Sequence, residues 1–262
     1  MQTAGFSDYI PHPSFEFDGE DLPGIWVGKY ITGHRTTTTP PITQGPPEIK
    51  AGATMTRTQT IAAQLVQSQG FAQANNISGT SILTRNRDWG AIAYLTHSRY
   101  GLNRHGVSAN FSTVSGAGGD ATSTTGNPYG VFDVAGGVWE SVAAYVNNNS
   151  ARINFMTQAL TIPANARYVD VYIAGTPNSA DTAANNYNLN ANRAGNATFE
   201  TSSPGRAWFG ATAQFPFGGS PVFNRGGRPV FPQPDVSNWQ FYFRGSSGQA
   251  NSTGGSRVVV IP

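Results

Sequence analysis

Residues 126–141 read GNPYGVFDVAGGVWES, and residues 83–101 read LTRNRDWGAIAYLTHSRYG. In the first stretch Gly126, Gly130, Gly136 and Gly137 permit tight backbone turns, so the segment reads as an irregular piece of core. Trp139 has the bulk to fill that core, and Glu140 beside it is the expected acceptor for buried backbone or arginine donors. The second stretch has helical spacing. Asn86 is the expected N-cap, Trp89, Ile92, Ala93, Thr96 and Tyr100 share a face, and Gly101 stands at the C-terminal position. Ala91 and Leu95 lie on the other side, which implies a helix packed on more than one face.

Working outward, Thr56 with Gln59 has the form of a capping box, followed by an apolar stripe at Ile61, Ala62, Leu65 and Val66 that Gly70 stops. Residues 24–31 (GIWVGKYI) read as a strand. Residues 34–54 (HRTTTTPPITQGPPEIKAGAT) are rich in Thr and Pro and predict an extended excursion, because proline cannot donate to a ladder. Residues 168–174 (YVDVYIA) alternate Val169, Val171 and Ile173 with Tyr168, Asp170 and Tyr172, the pattern of a half-buried strand. Residues 239–244 (WQFYFR) and 257–261 (RVVVI) are the last strand candidates, and residues 116–126 and 185–196 read as polar loops. Two helices beside a small twisted antiparallel sheet, wrapped in long loops, is an α+β pattern. We read residues 1–262 as one domain with an extended N-terminal segment (1–23) and the Thr/Pro-rich excursion (34–54).

Composition narrows the functional classes. Only 11% of the residues are charged, so solubility must come from amides and hydroxyls. Of 16 lysines and arginines just two, Lys29 and Lys50, are lysine. Arginine is favoured where a planar fork pairs with carboxylates or carbonyls or stacks on rings, and with no basic run the arginines read as internal clamps. No nucleic-acid partner is expected. Cysteine is absent, which removes disulfides, thiolate metal sites and cysteine nucleophiles. The N-terminus has neither a basic nor an apolar leader region, so export through an ordinary leader is not expected. No apolar run reaches the roughly 18 residues that span a bilayer, so membrane insertion is not expected either.

Residues 12–33 (HPSFEFDGEDLPGIWVGKYITG), 86–95 (NRDWGAIAYL), 130–140 (GVFDVAGGVWE) and 223–227 (FNRGG) succeed one another as landmarks of a family. Over nearly its whole length the chain resembles C-type-lectin-fold domains of the formylglycine-generating-enzyme-like (sulfatase-modifying-factor-like) type, found in phage and bacterial surface proteins and in retroelement-diversified variable proteins. The resemblance implies a C-type-lectin-like fold. It also implies that Arg225 and Arg257 sit near the end of the core sheet and tie down loops. Trp89, Asp133, Gly136, Trp139, Glu140, Arg225 and Arg257 are then structural-motif residues.

That fold carries enzymes as well as binding surfaces. The formylglycine-generating enzymes need a redox cysteine pair, which this chain lacks. His12, His34, His97 and His105 have no spacing suited to a facial iron site. Asp133 and Glu140 in principle form an acid–base pair for glycoside hydrolysis, but they lie inside the structural motif. No nucleophile elbow, P-loop or dinucleotide fingerprint occurs. We expect a protein that is not an enzyme and has no cofactor. The resemblance allows a calcium ion, but no EF-hand spacing assigns its ligands.

The resemblance places a ligand surface in the C-terminal part, after the NRGG turn. Residues 228–255 there offer Arg228, Phe231, Gln233, Asp235, Asn238, Gln240, Tyr242, Arg244, Gln249 and Asn251 as candidate ligand-binding residues. Aromatics beside adaptable amides make a good recognition surface. Trp239, Phe241 and Phe243 have an alternative role facing the core, which leaves Tyr242 and Gln240 as the better surface candidates. The Pro-rich residues 229–234 depart from the diversified pattern. The expected function is that of a phage virion surface protein (tail, fibre or capsid decoration) used in attachment or particle assembly. Its expected partners are other virion proteins or a host-surface protein or glycan, with a homo-oligomer on the virion surface or outside the cell. The alternative is a bacterial or retroelement-diversified ligand-binding protein with a C-terminal variable surface.

Overall fold

The computed structural model describes residues 11–36, 44–102, 107–147, 159–173, 195–198, 200, 215–217, 219–227 and 243–262. Residues 11–23 are not simply extended. A 3₁₀ turn, Pro13–Phe15, is capped by His12, whose Nδ1 accepts the Ser14 N–H at 3.1 Å. It leads into a hairpin of β1 (Glu16–Phe17) and β2 (Glu20–Asp21) that turns through Asp18 and Gly19, both at positive φ. The strand expected over residues 24–31 shrinks to β3 (Trp26–Val27), with Trp26 72% exposed.

The Thr/Pro-rich excursion folds back on itself. β4 (Gly33–Thr36) is flanked by β5 (Gln44–Glu48) and β6 (Thr54–Met55) in a three-stranded antiparallel sheet. The strand that carries Pro46 and Pro47 lies at the sheet's edge, where proline is tolerated, and its register with β4 shifts beside them.

Helix α1 (Ile61–Gln69) occupies the apolar stripe, but its N-cap is Thr60, whose Oγ1 accepts the Ala63 N–H at 3.1 Å. Thr56 does not cap it. Thr58 at φ +60° takes the backbone out of any helical path, and Thr56 is instead buried with its N–H on the Thr32 carbonyl. Gly70 ends α1 and starts a short third helix, α2 (Phe71–Ala74), which the sequence did not announce. After β7 (Thr80–Leu83), helix α3 (Asn86–His97) begins one residue earlier than expected. Asp88 at its third position accepts the Arg85 N–H at 2.9 Å, so Arg85 is the N-cap and Asn86 the first helical residue. Trp89, Ile92, Ala93 and Thr96 are buried as the spacing required. Tyr100 lies beyond the helix, which Ser98 caps, and Leu95 is 53% exposed, so the second packed side of α3 runs through Ile92, which meets Val107 and Val134, rather than through Leu95.

At the centre runs β8 (Trp139–Val146), with all eight residues buried. It is flanked by β9 (Asp170–Tyr172), β10 (Val222–Arg225) and β12 (Gly254–Gly255), and β11 (Phe243–Ser246) joins outside β10. β10 runs antiparallel to β8, but β9 and β12 run parallel to it, so the sheet is mixed rather than antiparallel throughout. The two-residue period of β8 divides the core. Val142, Ala144 and Val146 pack with Trp89 and Ala93 of α3, Tyr172, Phe215 and Phe223. Ala143 and Tyr145 pack with Ile61 and Leu65 of α1, Leu83, Leu160 and Val169. A further three-stranded sheet, β3-β13-β7, is centred on β13 (Val258–Ile261).

In β9 the alternation is inverted. Asp170 and Tyr172 are fully buried while Ile173 faces solvent. The inversion is tolerated because both polar groups are satisfied. Asp170 accepts from Arg87 Nε at 2.6 Å and from its backbone N–H at 2.8 Å, and the Tyr172 hydroxyl accepts from the Asn86 and Asn196 side chains. The architecture is α+β: helices on both faces of a mixed sheet, with smaller sheets beside it.

Candidate binding site

Three buried arginines hold the framework on which the site rests. Arg257, just before β13, donates from Nε and Nη2 to the two oxygens of Glu140 at 2.9 and 2.8 Å. Its other donors reach the carbonyls of Gly28 and Phe132. Arg85 makes the same fork on Asp88 and adds the Ser14 carbonyl, while Ser14 Oγ donates to Asp88. Arg225, at the end of β10, lies over the Trp89 ring at 4.3 Å and donates to the Ala197 carbonyl at 3.1 Å. The planar cations join segments distant in sequence: Arg257 through its bidentate fork, Arg85 through the Ser14 carbonyl, and Arg225 through its stack on Trp89.

Asp133 and Glu140 are both engaged in this framework. Asp133, at φ +62°, accepts from Asn110 Nδ2 at 2.8 Å and from the Gly116 N–H at 2.9 Å. Burial pushes its carboxyl above the ordinary value, against these bonds and the nearby Arg257 charge, which act the other way. Gly136, at φ +80°, is required by contact as well as conformation, since a Cβ there would run into the Asn110 backbone.

Above the framework, between β8, β10 and β11, lies a polar cleft of about 340 Å³. Its lining includes Trp139, Ser220, Asn224, Ser246, Asn251 and Thr253, and among the described residues no charged side chain lines it. Two of these residues are held before any ligand arrives. Asn224 Oδ1 accepts from Ser141 Oγ at 3.1 Å, and Asn251 Oδ1 accepts from the Thr253 N–H and hydroxyl at 2.8 Å each. The Asn251 carbonyl in turn accepts the Thr58 N–H. Amides and hydroxyls fixed over the buried Trp139 suit neutral polyhydroxyl or amide groups rather than ions.

Of the candidate ligand-binding residues, Asn251 lines this cleft, and Gln249 is exposed on the same loop. The backbone of Arg244 lies in β11, opposite Asn224. Arg228, Phe231, Gln233, Asp235, Asn238, Gln240 and Tyr242 lie outside the described residues, in the connection between the paired strands β10 and β11. Ser220 and Asn224 are cleft residues that the sequence reading did not assign to binding. Asn224 stands inside the NRGG landmark, where only its structural part was visible.

Among the described residues no group of three or more His, Asp or Glu is placed to hold a metal ion, and no helix is long and apolar enough to cross a membrane. His12 binds the Gly195 carbonyl and His34 binds Thr56 Oγ1, far apart in the fold, and His105 lies outside the described residues. No known family model and no curated protein matches the chain.

Proposed function

We propose that this chain is a non-enzymatic surface protein of a phage virion, used in attachment or particle assembly through a C-type-lectin-like domain of the formylglycine-generating-enzyme-like type. The observation that carries the reading is how the buried polar groups divide. Asp88, Asp133, Glu140 and Asp170 each accept from named arginine, amide or backbone donors, so the carboxylates that invited an acid–base reading serve as anchors. Among the described residues, the pre-formed cleft beside them offers neutral donors and acceptors. Such a surface recognises a ligand without transforming it. Residues 228–242, which carry the remaining candidate ligand-binding residues, connect in sequence the two strands β10 and β11 that line the cleft. The partners are a host-surface glycan or protein on one side and other virion proteins, including further copies of the chain, on the other.

The test is capture of the immobilised protein by intact bacterial cells and by a panel of neutral oligosaccharides. Asn224→Ala and Asn251→Ala should each weaken capture by about tenfold, the loss of one or two hydrogen bonds in a desolvated site. Asn224→Ala strands the buried Ser141 hydroxyl and should cost about 1–2 kcal/mol, so capture is compared well below its melting temperature. Capture indifferent to both substitutions would overturn the cleft reading.

A further inference from the structure

Both lysines of the chain line one groove. It has a volume of about 680 Å³ and lies between β3 and the residues that follow β5, over a floor formed by Phe71, Val258 and Val260, with Trp26 as an exposed wall. Lys29 and Lys50 are exposed, and among the described residues neither has an ion-pair partner, although Glu48 also lines the groove. Lys29 Nζ rests 5.4 and 5.7 Å from the Phe132 and Tyr30 rings, and neither contact neutralises it. An apolar floor under two uncompensated cations fits an acidic segment with an apolar shoulder.

The chain carries such a segment. Glu16, Asp18, Glu20 and Asp21 are all exposed on the β1–β2 hairpin. Glu16 is occupied by the Gly19 N–H of the turn, and Asp18 by Arg167 at 3.2 Å. Glu20 and Asp21 have no ion-pair partner among the described residues, and half-buried Leu22 and exposed Pro23 follow them directly. We infer that the lysine groove of one copy takes the Glu20–Asp21 edge of the hairpin of a second copy. This deepens the proposal that the protein acts as a homo-oligomer, by naming the interface. The two surfaces differ, so the contact is heterologous and grows into a ring or an open chain. A single exposed ion pair contributes little, so each contact is weak and assembly depends on repetition along the array.

The experiment is light scattering of the full chain over a concentration series at low and high salt. Wild type should associate with rising concentration, and less so at high salt. The double variants Glu20→Lys/Asp21→Lys and Lys29→Glu/Lys50→Glu should each weaken self-association at least about tenfold, because like charges then face one another. Their equimolar mixture should associate again, because each reversed surface meets its complement. Arg99→Glu, an exposed charge that lines neither the groove nor the hairpin, should associate like wild type. All four reversed positions are exposed, so unchanged melting temperatures check the fold. A wild type that stays monomeric, reversed variants that associate like wild type, or a mixture that fails to recover would overturn the inference. Binding of an anionic glycan or an unrelated acidic peptide in the groove, without self-association, would do the same. Cell capture through the cleft is read separately with Asn224→Ala, so either proposal can fail while the other stands.

Discussion

Arg257 and Glu140, 117 residues apart, meet as a fully buried bidentate pair that fastens the start of β13 to the start of β8. Removing one partner strands a charge in the core. Glu140→Gln should therefore destabilise the protein by about 3–5 kcal/mol in denaturant unfolding. Replacing both by Leu and Met should recover only part of that loss, because the Gly28 and Phe132 carbonyls then lose their donor.

The Arg225 guanidinium over Trp89 joins β10 to α3. Lysine keeps the charge but not the plane, so Arg225→Lys should cost about 2 kcal/mol through weaker stacking and a lost carbonyl contact. The near-ultraviolet circular dichroism of the indole should change in the same variant. An unchanged spectrum and stability would mean that the stack contributes nothing.

Asp133 accepts from two N–H groups through separate oxygens, an arrangement that an amide cannot reproduce. Asp133→Asn keeps the left-handed backbone tolerable yet turns a donor toward a donor, and should cost about 1–3 kcal/mol near neutrality. Because the folded carboxyl sits above its ordinary value, its contribution to stability falls as pH rises from the ordinary carboxylate range through the raised value. The difference between wild type and variant should therefore widen in favour of wild type on the acid side of that window. Parallel melting curves across it would refute the assignment.

His12 caps the first 3₁₀ turn with one ring nitrogen and donates to the Gly195 carbonyl with the other. That arrangement requires the neutral ring, and burial lowers its pKa below 6.5 against the opposing pull of Asp88 and Glu200. The stabilisation is complete above pH 6.5 and is lost as pH falls from there through the lowered folded value. In His12→Gln the fall in melting temperature on acidification should be shallower. It should not vanish, since burial lowers His97 in the same direction. An unchanged slope would show that His12 does not titrate with folding.

The legible parts of the fold were those with a local cause. The face of α3 at Trp89, Ile92, Ala93 and Thr96, and the apolar stripe of α1, follow from helical spacing alone. The caps were misplaced because capping depends on backbone direction two or three residues away: Thr58 at positive φ disqualified Thr56, and Asp88 made Arg85 the cap. In β9 hydropathy pointed the wrong way. Asp170 and Tyr172 are buried only because Arg87, Asn86 and Asn196 arrive from elsewhere to satisfy them.

By itself the sequence determined the α+β class, the absence of disulfide and thiolate chemistry, and a core built on glycine turns around Trp139. These follow from residue type and near-neighbour spacing, which any fold must respect. Only the tertiary structure decided that Glu140 belongs to Arg257, that Asn224 and Asn251 share a cleft, and that Lys29 and Lys50 flank one groove. Those pairings join positions tens to more than a hundred residues apart. Arg257 is selected for Glu140 by the need to satisfy every charge that the core removes from water, the other two pairs meet because the strands and loops that carry them are neighbours in the fold, and no local pattern records either.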